Sequence, residues 1–95
     1  MTQIVPVAWY SLANYERIRQ IMDDKINFPI TFEEWEQLAN DQLATVLKQG
    51  IIVQKVMLDP HEFLAYVRKA KIKANAQARV RFVAMKLAHE KSGQA

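Results

Sequence analysis

The sequence predicts an α+β fold rich in helix, with four helices and two short antiparallel strands in the order β-α-α-β-α-α, as one domain over residues 1–95. Three observations carry this. Two short runs, "IVPVAWY" and "IIVQKVML", are dense in β-branched and aromatic residues. The segments between and after them place apolar side chains three and four residues apart, the period of a helix buried on one side. The chain has only 2 Gly and 3 Pro, too few for the turn-dense sequence of an all-β fold.

The first run is a strand, and Pro6, which has no amide hydrogen to donate, confines it to a sheet edge or a strand start. Ser11 then caps "LANYERIRQIM", whose Leu12, Tyr15, Ile18, Ile21 and Met22 share one side of a helix. "DDKINFPI" ends it, because Pro29 drives the residue before it away from helical angles. Thr31 followed three residues later by Glu34 forms a capping box, and Glu33 and Glu36 put negative charge where the helix dipole favours it. The helix that starts there carries Phe32, Trp35, Leu38, Ala39, Leu43, Val46 and Leu47 on one broad face, and Lys48 and Gly50 supply its stop.

After the second strand, Asp59, Pro60 and Glu62 repeat the start grammar, with Phe63, Tyr66, Val67 and Ala70 inward on a helix reaching about Ala70. "KIKA" is a connector, and Asn75 caps the last helix. Each helix pair, taken as an antiparallel hairpin, returns the chain to its starting end and lets the second strand run antiparallel to the first. The shared grammar suggests a weak βαα pseudo-repeat over 4–50 and 51–92.

The last helix is apolar on two sides. Val80, Val83, Ala84 and Leu87 form one stripe, expected in the core. Ala78, Phe82, Met85 and His89 form another, expected at the interface of a homodimer, since Phe and Met are common in the buried centres of interfaces. Charge fits such an arrangement. Residues 1–50 hold four basic and seven acidic side chains and residues 51–95 nine basic and three acidic, so Arg79, Arg81 and Lys86 at the rim can meet the acidic half of a partner.

The same basic half offers a second class of partner. Arg68, Lys69, Lys71, Lys73, Arg79 and Arg81 crowd around one helix-to-helix connector, where they could contact the phosphates of a nucleic acid. Chemistry is harder to place. There is no cysteine, His61 and His89 stand in different helices without partners at metal-ligand spacing, and no nucleophile elbow, phosphate loop or HExxH occurs. Asp23 with Asp24, and Glu33 with Glu34, sit at helix ends where solvated or capping roles are expected. Trp9, Tyr10, Tyr15, Phe32 and Trp35 read as core aromatics rather than a pocket. No leader or membrane span is expected, and cytoplasmic residence fits.

The expectation is therefore a non-enzymatic protein-interaction module that self-associates through the last helix and needs no cofactor or metal. The alternative is a nucleic-acid-binding accessory protein that uses the connector. In the order "VPVAWY", "YERIRQIMDD", "FPITFEEW", "LDPHEFLAYV" and "AQARVRF", the chain resembles a group of small uncharacterised bacterial proteins. The resemblance implies a bacterial, single-domain protein and brings no activity, cofactor or catalytic residue with it.

Overall fold

A computed structural model describes residues 4–93. Strand β1 (Ile4–Trp9) is followed by helices α1 (Leu12–Ile21) and α2 (Phe32–Lys48), and strand β2 (Ile52–Met57) by α3 (Pro60–Ala70) and α4 (Ala76–Gly93). Each helix begins at its expected cap, where a side-chain oxygen accepts an amide that the first turn leaves unpaired. Ser11 accepts from Asn14 and Thr31 from Glu34, both at 3.2 Å, Asp59 accepts from Glu62 at 3.0 Å, and Asn75 from Ala78 at 3.1 Å. The stops differ in kind. Gly50 follows α2 with φ +81°, which costs glycine nothing, whereas Lys71 ends α3 in the left-handed region at φ +56°.

The two strands are parallel, which corrects the antiparallel expectation: Ile4 lies beside Ile52 and Trp9 beside Met57, in an unbroken register. The reason lies in α1. At 10 residues it spans about 15 Å, and its backbone lies against α3 and the start of α2, not along either strand. It therefore carries the chain sideways rather than back. Helix α2 alone makes the return: Trp35, in its first turn, touches Trp9 at the far end of β1 with ring centroids 5.0 Å apart, while Val46 near its end shares a crevice with Val5 and Val53 at the strand starts. A single return run between neighbouring strands is a βαβ crossover, and that makes them parallel.

Parallel sheets need cover on both faces. Odd-numbered side chains of the strands (Val5, Trp9, Val53) face α2, and α4 crosses β1 on the other face, where Val56 is buried. The core collects at the end of the sheet where α1, α3 and α4 meet, around Ile18, Leu58, Phe63, Val67, Phe82 and Val83. Phe63 and Phe82 meet edge to face at 5.4 Å and 88°. No described helix is long and apolar enough to cross a membrane.

Candidate interaction surface

Helix α4 does not divide into the two stripes that its apolar residues suggest. Ala78, Phe82 and Val83 are all buried, Val80 is 66% exposed, and Ala84, Met85 and His89 also lie open. Ala78 and Phe82, expected at an interface, are interior, and Val80 and Ala84, expected in the core, are not. At about 100° per residue, the buried arc runs from Ala78 and Phe82 through Arg79 and Lys86 to Val83 and Leu87. Its middle is basic, which hides it from any reading of apolar periodicity. Both cations are matched: Arg79 forks onto Asp24 at 2.9 and 3.0 Å, and Lys86 reaches both carboxylate oxygens of Glu62 at 3.2 Å.

That pairing also removes Arg79 from the basic connector. Its guanidinium stacks over Phe28 at 4.8 Å as well as binding Asp24, so its charge is already matched by a carboxylate within the fold. Arg68, Lys69, Lys71, Lys73 and Arg81 are exposed, and Lys71, Lys73 and Arg81 border one shallow depression beside Asn75. Among the described residues, no three of His, Cys, Asp and Glu converge as a metal would require, and His61 and His89 both lie on the surface.

The aromatics expected in the core form one connected cluster, part of which is open. Tyr10 and Tyr15 are buried, and the Tyr15 hydroxyl donates to the Pro29 carbonyl at 2.6 Å. Burial pushes the Tyr10 phenol up to about 12, although Arg79 acts against the rise. Trp9 and Trp35 are only half-buried. They stand at the mouth of a crevice of about 230 Å³ between α2 and the sheet, walled by Val5, Leu43, Val46 and Val53.

This crevice belongs to a larger apolar area that sequence periodicity did not single out. Helix α2 is 17 residues long and has no buried residue, although its broad apolar face formed as expected. Leu38 and Leu47 on α2, and Met57 on β2, are each about half exposed. Only Val56 of the six β2 residues is buried. Lys55 lies over the Trp9 ring at 4.1 Å, so its stem covers aromatic surface while its charge stays in water. No protein-family model, characterised protein or solved structure matches the chain, so the surface has to be read from its own chemistry.

Proposed function

We propose that the protein is a non-enzymatic interaction module that self-associates through the face formed by α2 and β2, rather than through α4. The observation that carries this is a 17-residue amphipathic helix whose apolar face is only partly covered, with Leu38 and Leu47 about half exposed, set beside a strand with one fully buried residue. Helices draw most of their stability from packing an apolar face, and contiguous exposed apolar surface marks an interaction site. The area agrees. A folded monomer of 11.0 kDa exposes about 5,600 Å². This chain exposes 6793 Å², and its radius of gyration of 13.8 Å exceeds the roughly 12.4 Å of a close-packed chain of this length.

Sedimentation at low and high micromolar concentration tests the reading. Wild type should shift from monomer to dimer, and Met57→Glu, at an exposed site, should weaken association about thirtyfold or more without unfolding the chain. A wild-type monomer throughout overturns it. A second reading, a nucleic-acid-binding accessory, draws on Lys71, Lys73 and Arg81 around one depression. It requires binding to random-sequence DNA or RNA that falls steeply with salt.

A further inference from the structure

We propose that the outer edge of β2 pairs with the same edge of a second copy, antiparallel about a twofold axis at Gln54, joining two parallel pairs into one four-stranded sheet. This rests on the self-association reading above and names the atoms that make the contact. The directions of the main-chain groups follow from one bond: the Leu58 amide donates to the Trp9 carbonyl at 2.9 Å. Along a strand, successive residues point their amide and carbonyl to alternate edges. Even-numbered residues of β2 therefore face β1, and Val53, Lys55 and Met57 aim their amides and carbonyls outward. On β1 the odd residues face inward, which puts Pro6 on the outer edge.

The two edges are thus unlike. The β1 edge is interrupted at Pro6, the usual protection against strand addition. The β2 edge has no proline, glycine or bulge, and among the described residues no strand or helix pairs with it. One hydrogen bond on that edge is telling. The Gln54 side-chain amide donates to the outward carbonyl of Lys55 at 3.2 Å, in the place that a neighbouring strand's amide would take.

A second copy fits this edge better than an unrelated strand because the sequence complements itself in one register. A twofold at Lys55 would set two ammonium groups directly opposite one another, which is destabilising. A twofold at Gln54 avoids this and uses the whole strand. Val53 then exchanges both main-chain bonds with Lys55 of the other copy, and Ile51 does so with Met57. Ile52 stands across from Val56, and the two Gln54 amides meet on the axis. Because α2 runs opposite to β2, the two α2 helices come to lie antiparallel on one face, each directing its acidic first turn toward the Lys48 end of the other. A two-stranded sheet is marginal alone, and four strands with a covered face are not.

Two measurements test the pairing separately from association itself. In hydrogen exchange, the amides of Val53 and Lys55 should gain at least tenfold protection when concentration rises through the association range, while Val56, already bonded to β1, changes little. Val53→Pro, which removes one outward donor much as Pro6 does on β1, should leave a folded monomer, whereas Val53→Ala should still dimerise. If the protein dimerises but Val53 and Lys55 exchange equally fast at both concentrations, edge pairing is wrong and side-chain contact alone holds the dimer. If Val53→Pro does not fold, the exchange result decides. A monomer at every concentration overturns both proposals.

Discussion

Arg79 and Asp24, 55 residues apart, face each other as two parallel hydrogen bonds of 2.9 and 3.0 Å, with Phe28 beneath the guanidinium. Beside them the Asp23 amide donates to the Ala74 carbonyl and the Ala74 amide to an Asp23 carboxylate oxygen, both at 2.8 Å. Together these bonds tie the end of α1 to the start of α4. Both side chains of the ion pair are largely out of solvent, at 15% and 18% exposure, where charge-assisted bonds contribute more than on an open surface.

Asp24→Asn should therefore cost about 2 kcal/mol at neutral pH in urea denaturation. The hydrogen bonds from Arg79 hold the Asp24 carboxyl below its ordinary range, so between the folded and unfolded values the unfolded chain binds more protons. That part of the stability is present above the unfolded value, near 4, and is lost as pH falls through the folded one. Wild type and Asp24→Asn should accordingly converge in stability as pH falls through the folded value. A gap that stays constant on acidification would mean that the asparagine variant loses packing rather than charge.

Phe82→Ala should cost roughly 3 to 5 kcal/mol, enough to unfold most of a domain this small, because Phe82 is buried against Phe63 and Tyr66. Met85→Ala, three residues on and exposed, should stay within about 0.5 kcal/mol. Thermal denaturation of the pair distinguishes this arrangement from one in which both residues serve an interface.

Replacing Thr31 by Ala should lower stability by about 1 kcal/mol, since its hydroxyl accepts the Glu34 amide at the start of α2. Helix α2 buries little, so much of the loss should appear as fraying: amides of Phe32 to Trp35 should exchange faster than those later in the helix.

Lys71→Gly should raise the denaturation midpoint, by up to about 1 kcal/mol, because lysine holds a left-handed conformation there that glycine adopts freely. A loss of stability instead would show that the lysine side chain contributes more than its backbone strain costs.

What was legible in the sequence was what short-range chemistry decides. Ser11, Thr31, Asp59 and Asn75 each announce a helix by an oxygen three residues before an unpaired amide, and no distant contact is needed to read them. The direction of β2 was not legible, because it turns on how far α1 travels along the sheet, and that is decided by where α3 packs. The buried side of α4 was obscured by Arg79 and Lys86 at its centre, whose partners Asp24 and Glu62 lie in other elements. The open face of α2 and β2 is invisible to periodicity for the opposite reason. Its residues have the right pattern for burial, and only the fold shows that the sheet covers them in part and leaves Leu38, Leu47 and Met57 about half exposed.

The parallel register sets an order of events as the chain is made. Each residue of β1 pairs with the residue 48 positions later, so closing the sheet spans a long loop, at an entropic cost of about 3 kcal/mol before any contact is gained. At ordinary rates of synthesis, β1 leaves the ribosome roughly 2 to 10 seconds ahead of its partner. During that interval it is an unpaired, apolar strand among other nascent chains, and it is the strand that carries Pro6. β2 emerges with β1 already made, so its inner edge has a partner at once and only its outer edge is left open.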